Sequence, residues 1–206
     1  MLKINFLGDS ITEGALASKE ENTYVYLVGQ MTNSITRNYG VSGSRIAKAI
    51  KPSENPRFDL YFGSRVEGMN TDADLVFVFG GTNDYGHHVV IFGKPGDKEP
   101  DTFYGAVDYL INKLLQYFKN EQIIFITPLY SEEEFRQEFE HPLEDFRKAI
   151  IEVAKSYDVK VFDIKDDIGL PFDNPMIADG LHPTDLGHHR IAELITDYIR
   201  QLGYIK

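Results

Sequence analysis

The sequence feature that most constrains the fold is an uninterrupted apolar run, Leu75-Val76-Phe77-Val78-Phe79, directly after Asp74. A strand whose side chains are apolar in both directions has to be covered on both faces, which is typical of strands inside a parallel sheet. Shorter segments of similar character predict further strands, at residues 2–7, 34–39, 122–127 and 160–163. The chain therefore favours a parallel sheet buried between layers of helices.

Between the strand candidates, apolar side chains recur every three or four residues, as they do on the buried face of a helix. Four helices are predicted in this way, at residues 21–31, 103–118, 143–157 and 185–202. Shorter helical turns are predicted at residues 45–50, where Pro52 stops the helix, and around residues 58–62. Strand and helix patterns alternate without internal repeats, so we predict one α/β domain over residues 1–206.

Composition and charge narrow the functional classes. The 206 residues are 42% hydrophobic, enough for a packed core, and carry a formal net charge of −11, which argues against a nucleic-acid partner. The chain has no cysteine, which excludes disulfides and thiolate metal sites. No apolar segment reaches membrane-spanning length and the N-terminus lacks a signal-peptide pattern, so we expect no membrane insertion and a cytoplasmic location. The sequence does not indicate an oligomeric state.

Ser10 lies where the first predicted strand ends, in the segment Gly8-Asp9-Ser10. A serine at the carboxyl edge of an α/β sheet can expose a nucleophilic hydroxyl, although the same tripeptide also occurs in ordinary turns. A neutral hydroxyl is a poor nucleophile near neutral pH and needs a base. His182, in a polar turn ahead of the last helix, is the best candidate, and Asp179 could accept the hydrogen bond of its other ring nitrogen. Taken singly, His182 could equally cap that helix and Asp179 could be an ordinary turn residue.

Four polar segments of the chain resemble the four signature blocks of the SGNH or GDSL hydrolases, a family of serine esterases and acyl hydrolases. They are, in chain order, Gly8-Asp9-Ser10, residues 38–43, Gly81-Thr82-Asn83-Asp84 and Asp179-Gly180-Leu181-His182-Pro183. The resemblance implies a three-layer α/β/α sandwich around a flavodoxin-like parallel sheet. It also implies catalysis by Ser10, His182 and Asp179 without a cofactor.

The same resemblance assigns an oxyanion hole to the backbone N–H of Ser10, the backbone N–H of Gly43 and the side-chain amide of Asn83. A glycine at position 43 lets an N–H approach a substrate without a Cβ in the way. From the residues alone, Gly43 could instead be a glycine at the start of a helix and Asn83 an ordinary turn residue. Asp9 and Asp84 flank these positions and are predicted to hold their loops by hydrogen bonds.

The predicted activity is hydrolysis of a small-molecule carboxylic ester through an acyl-enzyme. The same catalytic groups could act on a thioester or a lysophospholipid, and a non-catalytic binding module on the same fold is the alternative from a different class. Specificity is expected to reside in residues 85–101 and 128–141, the least regular segments near the site. Only residues 89–92 form an apolar run there, so we expect short acyl chains, acetyl to butyryl, on a neutral alcohol such as a sugar hydroxyl.

Two histidine pairs, at residues 87–88 and 188–189, raise the question of metal binding. Adjacent side chains usually point apart, and no acidic or cysteine ligand pattern accompanies either pair, so no metal site is predicted. One histidine of the second pair is expected to be packed and the other solvated. The acidic residues 131–145 are interpreted as a solvated face that could also rim the pocket.

Overall fold

The computed structural model describes residues 1–87, 90–136 and 140–206. Within these residues, five strands form one parallel sheet in the order β2-β1-β3-β4-β5. The strands are β1 (Lys3–Gly8), β2 (Ile35–Gly40), β3 (Leu75–Phe79), β4 (Ile123–Ile126) and β5 (Lys160–Phe162). Each agrees with its predicted segment to within one residue at either end, so the prediction of a parallel α/β sheet is confirmed.

Helices flank this sheet, and short 3-10 turns join several of them. In the same described ranges the helices are α1 (Ser10–Glu13), α2 (Tyr24–Thr32), α3 (Phe62–Arg65), α4 (Thr82–Gly86), α5 (Phe103–Leu114), α6 (Glu133–Arg136), α7 (Leu143–Ser156), α8 (Lys165–Ile168) and α9 (Asp185–Gln201). The 3-10 turns are Glu20–Asn22, Pro56–Asp59, Val66–Gly68 and Asn120–Gln122. Three of the short helices, α1, α4 and α8, begin within three residues of a strand end, which places their first turns at the carboxyl edge of the sheet.

Alternate side chains of the three interior strands β1, β3 and β4 enter two separate cores. Val76 and Val78 of β3 face a core shared with α5 and α7. Leu75 and Phe77 face the opposite core, shared with α2 and α9, where the Phe77 ring stacks on Phe6 at 5.3 Å between centroids. The two cores on either side of the sheet are the predicted three-layer sandwich.

The helical turn predicted at residues 45–50 is wrong. The backbone N–H groups of Ile46 and Ala47 donate to the Asp84 carboxylate, at 3.0 and 2.8 Å, and the N–H of Lys48 donates to the Pro100 carbonyl at 2.6 Å. These tertiary hydrogen bonds use the donors that a helical turn needs, so the segment stays irregular. The turn predicted around residues 58–62 is split into Pro56–Asp59 and Phe62–Arg65.

Smaller corrections concern the segment before α2 and the loop after β3. The helix predicted over residues 21–31 is interrupted at Thr23, whose side chain accepts the Tyr26 N–H and caps α2. The long loop predicted from residue 85 begins with the last residues of α4. His188 is fully buried on α9 and His189 is exposed, as expected for that pair.

Candidate active site

The serine that follows β1 begins the short helix α1. The Asp9 carboxylate accepts the backbone N–H of Ile11 at 3.0 Å, which caps α1 and fixes Ser10 in its first turn. Ser10 keeps only 8% of its surface exposed. Burial raises the pKa of Asp9 to about 6, although the Ile11 N–H and the nearby His182 and Arg65 act in the opposite direction.

The turn before α9 brings Asp179 and His182 together. Oδ1 of Asp179 accepts the backbone N–H groups of Leu181, at 3.2 Å, and of His182, at 2.7 Å. Oδ2 of Asp179 lies 2.8 Å from Nδ1 of His182. A carboxylate only accepts, so this contact places the ring hydrogen on Nδ1 and leaves Nε2 as the acceptor. Burial acts to raise the pKa of Asp179, but these hydrogen bonds and the histidine lower it below its ordinary value.

The geometry joins that turn to the serine. Oγ of Ser10 lies 2.9 Å from Nε2 of His182, so Ser10, His182 and Asp179 form a continuous line of hydrogen bonds. The line crosses from α1 at the end of β1 to the turn that precedes α9. Its arrangement is that of a nucleophile, a general base and a carboxylate that orients the base.

Gly43 lies in a tight turn after β2, beside the serine helix. The Ser44 N–H donates to the Val41 carbonyl at 3.1 Å, and Gly43 has φ +75°, in the left-handed region. A Cβ at position 43 would lie 2.4 Å from the Phe58 ring, so both conformation and space require glycine. The turn does not use the Gly43 N–H for its own closing hydrogen bond.

Asn83 is held against the same turn from the first turn of α4. Its Nδ2 donates to the Ser44 carbonyl at 2.9 Å, so the side-chain amide of Asn83 and the Gly43 turn are joined. An amide nitrogen carries two hydrogens, and only one is used in this bond. The structure therefore brings the side-chain amide of Asn83 to the turn that contains Gly43.

Asp84 anchors the segment that follows the Gly43 turn. It is 2% exposed and accepts the N–H groups of Ile46 and Ala47. Burial raises the pKa of Asp84 to about 7, against the effect of those two hydrogen bonds. Asp9 and Asp84 thus both accept backbone N–H groups of their own or a neighbouring loop.

Sequence reasoning missed Arg65, which ties together the ends of three segments. Its Nη2 donates to the Gly8 carbonyl and to Ser44 Oγ, each at 3.0 Å, and its Nη1 donates to the Tyr39 carbonyl. Burial lowers the pKa of Arg65 to about 10, so the guanidinium stays charged at neutral pH. A single arginine in a segment without a clear sequence pattern carries no signal for this contact.

The acidic segment after β4 forms one wall beside His182. The backbone N–H of Glu132 donates to the Gly180 carbonyl at 2.7 Å, and residues 131–133 and 179–182 line a cavity of about 340 Å³. Arg147, buried at 1% exposure, holds this segment: it donates to the carbonyls of Pro128 and Leu129 and pairs with Glu134 at 2.8 Å. Residues 131–133 thus rim the site, as the sequence allowed.

A second cavity, of about 430 Å³, lies beside the helix that carries Asn83. Its lining combines apolar and polar side chains: Asp84, Tyr85, Val90, Ile91, Phe92, Gly93, Glu140, His141 and Phe146. The Phe92 ring stacks on His141, with 4.1 Å between centroids. Of the predicted apolar run 89–92, Val89 lies outside the described residues, as does His88 of the first histidine pair.

Among the residues whose placement is described, no three side chains of His, Cys, Asp or Glu are grouped to hold a metal ion. None of the helices in that part of the chain combines the length and apolarity needed to cross a bilayer.

The chain is similar to known proteins in sequence and in fold. A family model described as "GDSL-like Lipase/Acylhydrolase family" matches residues 6–190, most of the chain. None of the curated proteins matches this chain in sequence. Among solved structures, a protein from Lactobacillus plantarum is 28% identical, with a TM-score of 0.81 and 97% of each chain covered.

Two further structures resemble the fold at lower identity. An aryl esterase from M. smegmatis is 17% identical with a TM-score of 0.73, over 98% of this chain and all of that one. Est24, a carbohydrate acetylesterase from Sinorhizobium meliloti, is 18% identical with a TM-score of 0.68, over the same shares of the two chains. At these identities the similarity establishes the shared fold.

Proposed function

The chain belongs to the GDSL-like lipase/acylhydrolase family of ester-hydrolysing enzymes, and we propose that it hydrolyses short-chain carboxylic esters through an acyl-enzyme on Ser10. The observation that carries this proposal is the line of hydrogen bonds from Ser10 Oγ to His182 Nε2, at 2.9 Å, and from His182 Nδ1 to Asp179, at 2.8 Å. Neither step of this line requires a cofactor.

In the proposed reaction, Ser10 Oγ attacks the acyl carbon while its proton passes to Nε2 of His182. The Asp179 carboxylate, whose pKa is held low, stabilises the imidazolium that forms. The tetrahedral intermediate collapses when His182 returns the proton to the leaving alcohol. Water then enters, loses a proton to His182 and releases the acid from Ser10 by the same sequence of steps.

The negative oxygen of the tetrahedral intermediate needs preorganised donors. We assign this role to the N–H groups of Ser10 and Gly43 and to the second hydrogen of Asn83 Nδ2. The bond from Asn83 to the Ser44 carbonyl supports the assignment, because it fixes the Asn83 amide relative to the Gly43 turn before substrate binds.

The proposed substrate is a short acyl group on a neutral alcohol. Val90, Ile91 and Phe92 line a cavity of about 430 Å³ that also contains the carboxyl groups of Asp84 and Glu140. This mixed lining suits a short chain better than a long one. Glu132 and Glu133 line the cavity beside His182, and the net charge of −11 adds to their field, which disfavours anionic substrates. A carbohydrate acetylesterase has the same fold, which supports a sugar hydroxyl as one such alcohol and acetyl as its acyl group.

Labelling with a fluorophosphonate probe tests the mechanism. We expect the intact protein to gain one phosphonyl group, located on Ser10 by peptide mass spectrometry, and Ser10→Ala to gain none. A screen of p-nitrophenyl esters should then show turnover by the wild type alone. Absence of both labelling and turnover would instead favour a binding module on the same fold.

A further inference from the structure

We propose that Glu13 is a positioning residue of the oxyanion hole, which holds Ser42 and thereby sets the direction of the Gly43 N–H. This inference rests on the proposed function, because that function assigns the Gly43 N–H to the oxyanion.

The direction of the Gly43 N–H depends on the type of its turn. Residues 41–44 form a β-turn closed by the bond from the Ser44 N–H to the Val41 carbonyl. Gly43, at the third position, has positive φ, whereas Ser42, at the second, is not among the residues with positive φ. This combination defines a type II turn. A type I turn would rotate the peptide unit between Ser42 and Gly43 by about half a revolution, and the Gly43 N–H would then point elsewhere.

Glu13 binds Ser42, the residue immediately before Gly43. Its Oε2 accepts the backbone N–H of Ser42, at 2.7 Å, and also the Ser42 hydroxyl. Two donors of one residue bound to one oxygen fix both the backbone and the side chain of Ser42. Holding Ser42 on both its backbone and its side chain restricts the turn as a whole. It thereby restricts the peptide unit that follows, which carries the Gly43 N–H and has the type II orientation.

Glu13 also belongs to the helix that carries the nucleophile. Ser10 and Glu13 are the first and last residues of α1, so the carboxylate joins the serine helix directly to the turn after β2. Its second oxygen accepts a hydrogen bond from Arg57 Nη2. Partial burial opposes ionisation of Glu13, but the Ser42 donors and Arg57 more than offset it and hold its pKa below the ordinary value. The anchor therefore remains an anion at neutral pH.

Variants at position 13 separate the acceptor from the charge. Glu13→Ala removes the acceptor, and we expect kcat to fall by about 10- to 100-fold with KM within about threefold, less than the full loss of an oxyanion donor because the turn is still populated. Glu13→Gln keeps an oxygen that can accept from Ser42, so kcat should remain within about fivefold of wild type. Glu20→Ala is the matched control. Glu20 is exposed and lies with Glu13 on the wall of a surface cavity next to α1, and the kcat of this variant should equal that of wild type.

A substitution at Ser42 tests the turn itself. Proline is favoured at the second position of a type II turn, so Ser42→Pro removes both donors to Glu13 while presetting the turn. If Glu13 acts by setting the turn, Ser42→Pro should lose less kcat than Glu13→Ala. A structural tie between α1 and the turn would instead make Ser42→Pro at least as damaging. If thermal unfolding shows that Glu13→Ala does not fold, Glu13→Gln is still compared with wild type, and a fall in its kcat of more than about fivefold would contradict the inference.

Three results would overturn the inference while leaving the proposed function intact, provided that the wild type hydrolyses esters. They are a kcat of Glu13→Ala within about threefold of wild type, equal losses in Glu13→Gln and Glu13→Ala, and a Ser42→Pro loss as large as that of Glu13→Ala. A wild type that neither hydrolyses esters nor takes up the phosphonate would refute the proposed function itself.

Discussion

Oγ of Ser10 lies 2.9 Å from Nε2 of His182, although the two residues are 172 positions apart in the chain. Ser10 follows the first strand and His182 precedes the last helix. The contact forms because the end of β1, an interior strand of the sheet, and the turn before α9 meet at the carboxyl edge of the sheet, while α9 packs on one face of that sheet. The predicted transfer of a proton from Ser10 to His182 depends on this contact.

Ser10→Ala should lower kcat/KM for p-nitrophenyl acetate by several orders of magnitude, because loss of a triad member removes the nucleophile. The fold should persist, since the change removes one hydroxyl and leaves the Asp9 cap of α1 in place. Steady-state kinetics and thermal unfolding measure the two effects, with Ser64→Ala, an exposed serine, as the control. Residual activity within about tenfold of wild type would contradict the assignment of the nucleophile.

Asn83→Ala should lower kcat by about 10²–10³ with a smaller change in KM, as expected for the loss of one oxyanion donor. The bond from Asn83 to the Ser44 carbonyl is lost at the same time, so part of the effect arises from loosening of the Gly43 turn. Saturation kinetics separate the two parameters. A raised KM with unchanged kcat would show that Asn83 acts only in substrate binding or in shaping the loop.

The pH dependence of kcat/KM should report His182. The activity is expected to rise with pH as the imidazole loses its proton and becomes able to accept from Ser10. Asp179, with its lowered pKa, remains ionised across this range and keeps accepting the Nδ1 hydrogen of the ring. Asp179→Asn should therefore cut kcat/KM strongly, because an amide does not fix the ring hydrogen on Nδ1. A wild-type profile that is flat from acid to neutral pH would remove His182 as the base.

The buried carboxyl of Asp84 should make the free energy of unfolding fall as pH rises. Its pKa is raised by burial to about 7 in the folded protein, so the folded state retains a proton that the unfolded chain releases at lower pH. The stabilisation is complete below the ordinary pKa of an aspartate and is lost as pH rises through about 7. Urea unfolding of wild type and Asp84→Asn, at mildly acidic and at alkaline pH, should show a smaller fall in the variant.

The test is the difference between wild type and Asp84→Asn in how the free energy of unfolding changes with pH. Burial lowers the pKa of His188, which changes stability with pH in the opposite direction and is common to both. Asp158→Asn, at an exposed position, serves as the control. Parallel pH dependences for wild type and Asp84→Asn would contradict a protonated Asp84 in the folded state.

Substrate preference should favour short acyl chains and neutral alcohols. We expect kcat/KM for one leaving group to be highest with acetyl to butyryl chains. Each buried methylene contributes about 0.8 kcal/mol only where it contacts apolar groups, and the cavity lining is mixed in polarity. An anionic ester should be turned over more slowly at low than at high ionic strength. A maximum at eight carbons or longer, or faster turnover of the anionic ester at low salt, would show that this interpretation of the cavities is mistaken.

Local sequence patterns were sufficient for the sheet and the main helices. The apolar run at residues 75–79 predicts β3 because a strand buried on both faces can tolerate few polar side chains. The helix predicted at residues 185–202 corresponds to α9, since one apolar face has to pack on the sheet. The candidate residues Ser10, His182, Asp179, Gly43 and Asn83 were all recognised from short motifs whose order along the chain resembles that of a family.

Tertiary structure alone decided the contacts that arrange those residues. Residues 45–50 have helical character in sequence, yet Asp84 and the Pro100 carbonyl take their N–H groups and keep them irregular. Arg65 and Glu13 have no motif, and their roles arise because the ends of β1, β2 and α1 converge on one edge of the sheet. A periodic pattern records which face of an element is buried, but a hydrogen bond between distant residues depends on distances that exist only after the layers have packed.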